Sequence, residues 1–307
     1  MTKALYIATS EYVKEMDTLP VKRQVSVSGI LKKLGVSRSG YSAWKRHTPS
    51  NTEMHRNQVK EKIMEIYDTS HQNYGAPKIT MELQKAGESI SEKTVGNYMR
   101  QMGIKAQWIK RYTQTTIDSD FSDQLKNVLN EKFHPDRPDA VWCSDITYIW
   151  TYEGFVYLTS VMDLYSRKII SWKLSDTLET FHVVECIEKA KKTRKIQQPL
   201  IFHCDRGSQY VSAAFKQATK AMINSYSKKA YPWDNACMES FHALLKREWI
   251  HRFRISNYAQ AYKLVFEYIE TFYNTVRIHS HCGYLSPNQY EQEYDRILDE
   301  RAAKVAS

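Results

Sequence analysis

Three strand-forming runs stand close together near the middle of the chain: VWCSDITYIW at Val141–Trp150, FVYLTSVMDL at Phe155–Leu164 and KIISWKL at Lys168–Leu174. Each run is rich in β-branched and aromatic residues, a composition typical of strands. Short turns at Tyr152–Gly154 and Tyr165–Arg167 join them. Because strands connected this closely pair with their neighbours, the sequence predicts an antiparallel meander of three strands.

The pattern after the meander alternates between helix and strand. The predicted elements are a helix over Thr180–Arg194, a strand over Leu200–Cys204, a helix over Ser212–Met222, a strand over Ile223–Ser227 and a long helix over Asn235–Arg252. A further helical stretch runs from Tyr258 to Tyr273. Together these elements predict an α/β domain, with a mixed five-stranded sheet flanked by helices.

The first 110 residues are predicted to be all-α. Gly87 ends one helix and Ser91 begins the next, which is the order of a helix-turn-helix; an earlier helix pair meets at Gly35 and Ser37. The outer face of the helix that starts at Ser91 carries three residues able to reach phosphates and base edges, namely Lys93, Asn97 and Arg100. An ordinary helical bundle with a solvated face is the alternative.

Composition narrows the class of protein. The 307 residues are 42% hydrophobic and 12% aromatic, which is enough for a globular core. Apolar runs are too short for a membrane span, no signal pattern begins the chain, and five cysteines without a C-x-x-C pair argue against disulfides and structural zinc. The first 110 residues hold 18 Lys and Arg against 10 Asp and Glu, whereas the remainder hold 26 against 24. We therefore expect a cytoplasmic protein whose first third binds a polyanion.

Three carboxylates stand at positions suited to one site. Asp145 lies in the middle of the first strand, Asp205 follows the strand Leu200–Cys204, and Glu239 lies near the start of the long helix. They converge if that helix packs across the edge of the two strands. Such a set suits hard divalent cations, above all Mg²⁺, and two ions roughly 3.5–4 Å apart can serve phosphodiester chemistry. Taken singly, each carboxylate has a structural explanation, as a turn, a cap or a hydroxyl partner.

Five motifs resemble, in order, the core of the IS3 family of insertion-sequence transposases. They are WCSDITYI at Trp142–Ile149, VMDLYSRKIISW at Val161–Trp172, HCDRGSQY at His203–Tyr210, DNACMESF at Asp234–Phe241 and YNTVRIHS at Tyr273–Ser280. Upstream, GVSRSGYSAW at Gly35–Trp44 and YGAPKI at Tyr74–Ile79 resemble the family's helix-turn-helix regions. The resemblance implies the ribonuclease-H-like fold of retroviral integrases. It also implies that Asp145, Asp205 and Glu239 form a catalytic, metal-binding Asp-Asp-Glu triad.

The same resemblance implies a DNA transposase that nicks the ends of its element and joins them to target DNA, using Mg²⁺ or in its place Mn²⁺. Lys246, seven residues after Glu239, matches the family's basic helix position and is expected to contact DNA. A homo-oligomer in the synaptic complex, and an upstream-frame product (OrfA) as fusion or partner, are also implied. The 33 residues between Asp205 and Glu239 are slightly fewer than the family usually leaves. If this spacing moves Glu239 off the metal, the chain is catalytically inactive. The alternative functions are an inactive DNA-binding regulator of the element and a ribonuclease-H-like nuclease.

These patterns divide the chain into five regions. They are a helix-turn-helix-like region at residues 1–50, a second helix-turn-helix DNA-binding domain at 51–110, a connector at 111–139, an integrase-like catalytic core at 140–255 and a helical tail at 256–307. Within the connector, a short amphipathic helix is expected around Leu125–Phe133. The protein is expected to act in the bacterial cytoplasm, associated with the nucleoid.

Overall fold

The computed structural model of the chain describes residues 2–18, 26–107, 125–194, 196, 198–228 and 231–306. The chain divides into two compact units, residues 1–62 and 63–307, and the boundary falls inside one helix. Of the connector expected at residues 111–139, the part up to residue 124 lies outside the described residues.

The first unit is helical. It contains α1 (Thr2–Asp17), α2 (Val27–Lys33), α3 (Arg38–Lys45) and the beginning of α4 (Asn51–Thr69). Its small core consists of Tyr6, Leu31 and Tyr41, and the rings of the two tyrosines lie 5.6 Å apart. Ser37 caps α3 because its hydroxyl accepts the backbone N–H of Gly40 at 3.2 Å. The predicted pair of short helices is confirmed, whereas α1 has no counterpart among the predicted elements.

The second unit begins with a helix-turn-helix formed by α5 (Ala76–Lys85) and α6 (Glu92–Gln101). Gly87 in the turn has a φ of +87°, a conformation that glycine adopts without a steric penalty. The Ser91 hydroxyl accepts the backbone N–H of Thr94 at 3.3 Å and caps α6. Fully buried side chains from both helices, among them Leu83 and Val95, form the core between them. The predicted helix-turn-helix is therefore confirmed.

A five-stranded sheet forms the centre of the second unit. Its strands are β1 (Val141–Thr151), β2 (Gly154–Asp163), β3 (Ile169–Ser175), β4 (Ile201–Cys204) and β5 (Ile223–Tyr226). The order across the sheet is β3-β2-β1-β4-β5; the first three strands are antiparallel, and β1, β4 and β5 are parallel. This arrangement confirms both the meander and the mixed, ribonuclease-H-like sheet that the sequence predicts.

Helices flank the sheet. They are α7 (Thr180–Thr193), α8 (Ser208–Val211), α9 (Ala213–Ala218), α10 (Ala236–Glu248), α11 (Tyr258–Phe266) and α12 (Pro287–Ala306). The main hydrophobic cluster lies where α7 and α9 pack on the sheet, and its fully buried members include Trp142, Val183, Phe202 and Phe215. A π-helix over Glu267–Tyr273 continues α11. None of the helices in the described ranges is both long enough and apolar enough to cross a membrane.

The prediction of a helix around Leu125–Phe133 is wrong, because these residues are not helical. The backbone N–H of Tyr226 donates to the carbonyl of Lys126 at 3.0 Å. The Ser225 hydroxyl accepts the N–H of Val128 at 2.9 Å. The segment therefore satisfies its backbone polar groups against β5, an edge strand of the sheet, instead of within a helical turn.

Candidate active site

Asp145 stands on β1, and Asp205 directly follows β4, the strand that is parallel to it. The backbone pairs between β1 and β4 are Val141 with Ile201, Trp142 with Phe202 and Cys143 with His203. Continuing this register by two residues brings Asp145 opposite Asp205. Because β4 ends at Cys204, β1 runs on beyond this point without β4 beside it. Paired strands lie about 4.8 Å apart, so both carboxylates stand at the opening where the two strands part.

Asp205 begins the turn that leaves β4. Its Oδ1 accepts the backbone N–H of Gly207 at 2.9 Å. A Cβ at position 207 would lie 3.0 Å from the same oxygen, so glycine allows the backbone to approach the carboxylate this closely. The side chain is half-buried and is held at a strand end, where α/β sheets place ligand-binding groups.

α10 carries the third carboxylate along the side of β1. Glu239 lies in its first turn and is exposed to solvent. One turn later, the Nδ1 atom of the buried His242 lies 3.5 Å from Oδ2 of Asp145. One further turn on, Lys246 Nζ lies 4.6 Å from the centre of the Tyr148 ring. The two contacts follow each other in the same direction along both elements, so α10 runs beside β1.

The charges at this opening repel each other in part. Burial and the negative charge of Asp145 raise the pKa of Glu239, although His242 acts in the opposite direction. Burial lowers the pKa of Lys246, and the charge of Asp145 opposes that change. Asp145 therefore interacts electrostatically with both α10 residues. A cation between the carboxylates would relieve the repulsion.

The donor chemistry of the opening fits a hard divalent cation, because carboxylate oxygens are the ligands that Mg²⁺ prefers. His242 Nε2 is buried and has no hydrogen-bond partner among the described residues, so the chain alone leaves a polar atom at this opening unsatisfied. Within the described ranges, no three His, Cys, Asp or Glu side chains are close enough together to hold an ion. The carboxylates would therefore have to move closer to each other around an ion that they bind.

The three residues expected to contact DNA from the helix-turn-helix lie on α6. Lys93 and Arg100 are exposed and Asn97 is half-buried. The Arg100 guanidinium donates a hydrogen bond to the Asn97 carboxamide oxygen. The two polar groups thus lie side by side on the surface of the helix. Lys246 belongs to a different element, α10, and lies beside the carboxylates.

Two buried ion-pair networks lie in the second unit, and sequence reasoning missed both. Arg277 donates to Glu248, the last residue of α10, with Nε at 2.7 Å. Arg194 donates to Asp163 at 2.8 Å, and burial raises the pKa of this fully buried carboxyl to about 7. Asp163 is thus a packing and hydrogen-bonding residue. Sequence reasoning also missed the contact of His242 with Asp145, although the position of His242 three residues after Glu239 is visible in the sequence.

Three segments of the chain match known families. Residues 135–227 and residues 239–294 each match a family described as Integrase core domain, and residues 54–112 match the family described as HTH-like domain. Among solved structures, the HTLV-2 integrase catalytic core domain in complex with magnesium aligns with a TM-score of 0.39 and 14% identity, over 50% of this chain and 97% of that chain. The catalytic domain of Mos1 mariner transposase aligns with a TM-score of 0.36 and 13% identity, over 50% and 74%.

The sequence is similar to curated transposases over most of their length. It is 34% identical over 274 residues to Transposase InsF for insertion sequence IS3A of Escherichia coli strain K12, covering 88% of this chain and 95% of that relative. It is 36% identical over 246 residues to the transposase for insertion sequence element IS904 of Lactococcus lactis, covering 80% and 97%. The chain therefore belongs to the IS3 family of insertion-sequence transposases.

Proposed function

We propose that Asp145, Asp205 and Glu239 are the catalytic triad of this transposase and that they bind Mg²⁺, for which Mn²⁺ can substitute. The observation that carries the proposal is the register of the central strands, which brings Asp145 and Asp205 to equivalent positions at one opening. Glu239 lies on the helix beside them and interacts with the charge of Asp145.

The proposed reaction cleaves the phosphodiester at an element end and then transfers the new 3′ end to target DNA. In the first step the oxygen of water attacks phosphorus and the 3′ oxygen leaves; in the second, the freed 3′-hydroxyl attacks a target phosphodiester in the same way. A pair of divalent cations, when bound, would activate the attacking oxygen and stabilise the leaving one.

Other residues of the chain have supporting parts in this proposal. His242, 3.5 Å from Asp145, restrains the orientation of that carboxylate. Lys246 holds a DNA phosphate beside the site, and α6 holds the element end through Lys93, Asn97 and Arg100. The DNA partners are the element ends and the target, bound by a homo-oligomer at the nucleoid, with OrfA as the upstream fusion or partner.

The decisive experiment is a cleavage assay on the element's own terminal DNA. The purified chain is incubated with Mg²⁺, with Mn²⁺ or with chelator, and the position of each nick is mapped. Nicks at the element end that require the metal support the proposal. Binding without metal-dependent nicking would identify a DNA-binding regulator, and preferential cleavage of an RNA–DNA hybrid would identify a ribonuclease-H-like nuclease.

A further inference from the structure

An exposed aromatic cluster lies on the hairpin formed by β1 and β2. Tyr148, Trp150 and Phe155, which we call the hairpin aromatic cluster, are 41%, 60% and 47% exposed. The ring centres of Trp150 and Phe155 are 4.8 Å apart, and those of Tyr148 and Phe155 are 5.3 Å apart. Large apolar side chains that stay exposed together usually mark an interaction surface.

The cluster is continuous with the candidate active site. Lys246 lies one helical turn after His242, which contacts Asp145, and its ammonium group lies over the Tyr148 ring. At about 3.3 Å per residue along β1, the backbone at Tyr148 is roughly 10 Å and at Trp150 roughly 17 Å from that at Asp145, and their side chains leave the strand on the opposite face. Lys246, which contacts the Tyr148 ring and interacts with the charge of Asp145, therefore connects the hairpin aromatic cluster to the site.

The charges near the cluster suit a nucleic acid strand. Lys246 stands between the carboxylates and the aromatic rings, and Arg254 is exposed on the segment that follows α10. That segment is tied to the hairpin, since the N–H of Tyr152 donates to the carbonyl of Ile255 at 3.0 Å. Exposed rings next to cations are typical of sites that bind single strands, where bases stack on the rings and cations hold the phosphates.

We propose that the hairpin aromatic cluster stacks unpaired bases of the element end, while Lys246 holds a phosphate of the same strand. This inference rests on the proposed function, because it takes the element end to be the DNA that the site receives. Opening base pairs costs free energy, and stacking on the rings offsets that cost.

The test compares the affinities for two terminal duplexes in chelator, so that no cleavage occurs. One duplex is fully paired, and the other has the five base pairs next to the scissile phosphate replaced by mismatches. A third duplex, with the mismatches moved to the opposite end, controls for flexibility alone. Binding is followed by fluorescence anisotropy for wild type, Trp150→Leu, Trp150→Phe and Phe266→Ala. Phe266, on α11, is 45% exposed and is a matched control for loss of an exposed ring.

We expect wild type to prefer the duplex mismatched at the cleavage site by about fivefold or more. Trp150→Leu, which keeps apolar surface but loses the ring, should lose that preference, whereas Trp150→Phe and Phe266→Ala should keep it. A wild-type chain without the preference, or a Trp150→Leu chain that retains it, overturns the proposal. A changed oligomeric state of Trp150→Leu with an unchanged preference would assign the surface to a second copy of the chain.

The proposed function fails separately from this inference. Absence of metal-dependent nicking with the preference intact would remove the catalytic proposal and leave the stacking surface in place. Nicking at the element end without any preference for unpaired bases would remove the stacking surface and leave the catalytic proposal in place.

Discussion

Asp145 on β1 and Asp205, the first residue after β4, stand opposite each other, each two residues beyond the last backbone pair, Cys143 with His203. The strands are fixed by the buried core on either side of this pair, so the sheet holds Asp145 and sets the point at which the turn with Asp205 begins. A carboxylate on a strand is held more precisely than one on a loop.

We predict that Asp145→Asn, Asp205→Asn and Glu239→Gln each reduce Mg²⁺-dependent nicking to background. Each change removes one negative charge with almost no change in volume, so folding and DNA binding should be retained. Nicking is measured on labelled terminal DNA, with binding and circular dichroism measured on the same samples. Glu185→Gln, which neutralises an exposed carboxylate on α7, is the matched control and should cleave normally. Near-normal nicking by any of the three variants would exclude that residue from the triad.

The charge of Glu239 should also affect the stability of the folded chain. Burial and Asp145 raise its pKa, so the folded chain binds this proton more tightly than the unfolded chain does. At neutral pH the ionised group therefore lowers stability, and the penalty disappears as the pH falls through the raised pKa to below the ordinary value of about 4.3.

We predict that Glu239→Gln in chelator raises Tm by about 1–2 °C at pH 7.5 and has no effect near pH 4. Added Mg²⁺ should raise the Tm of wild type more than that of the variant, because the ion binds the folded wild-type site. Scanning calorimetry at the two pH values checks both expectations. If the Tm of Glu239→Gln in chelator at pH 7.5 is equal to or below that of wild type, the inferred repulsion between Glu239 and Asp145 is wrong.

The fold could largely be predicted from the sequence because its signals are local. Alternating and apolar runs mark the five strands, and Gly87 and Ser91 mark the turn and cap of the helix-turn-helix. The segment at Leu125–Phe133 was mispredicted because its hydrogen bonds go to Ser225 and Tyr226, almost a hundred residues away. Apolar periodicity carries no information about such a distant partner.

The candidate site was predictable only in part. The three carboxylates stand in distinct motifs, but the contact of His242 with Asp145 depends on how α10 packs against β1. The buried ion pair of Glu248 and Arg277 likewise joins two parts of the chain that no local sequence pattern connects. The exposed state of Trp150 was hidden as well, since a tryptophan in a strand is more often buried.

Lys246 is predicted to position the DNA end. Lys246→Ala should lower strand transfer more than overall DNA affinity, because a misplaced end loses rate steeply. Removing one phosphate contact should also reduce the salt dependence of binding, with the slope smaller by about 0.9. Lys246→Arg should partly restore transfer, since it keeps the charge next to the Tyr148 ring. End joining by the alanine variant at the wild-type rate would assign Lys246 to the surface.

The α6 residues allow specificity and affinity to be separated. Arg100→Ala and Asn97→Ala should each narrow the difference in binding free energy between element-end and random DNA by about 1–3 kcal/mol. Lys93→Ala should instead weaken binding to both DNAs alike, as expected for a phosphate contact. Competition binding at several salt concentrations distinguishes the two effects. An unchanged preference in Arg100→Ala and Asn97→Ala would assign that face of α6 to packing or solvent.

The last prediction concerns Tyr74, which links the segment that matches the HTH-like domain to the end of the integrase core. Its buried hydroxyl accepts the N–H of Ile278 at 2.8 Å and donates to the carbonyl of Val276 at 3.3 Å. Tyr74→Phe leaves the Ile278 N–H without this partner, which should cost about 1–3 kcal/mol and lower Tm by roughly 2–10 °C. Tyr12→Phe, at a tyrosine that is 46% exposed, should leave Tm unchanged.

Because α6 and the carboxylates both belong to the unit of residues 63–307, loosening the link made by Tyr74 should lower cleavage per bound DNA more than it lowers DNA affinity. Cleavage is therefore measured at saturating protein and well below the Tm of the variant. If the variant melts and cleaves like wild type, the hydroxyl does not hold the helix-turn-helix in place, and the alignment of bound DNA with Asp145 and Asp205 must come from elsewhere in the unit.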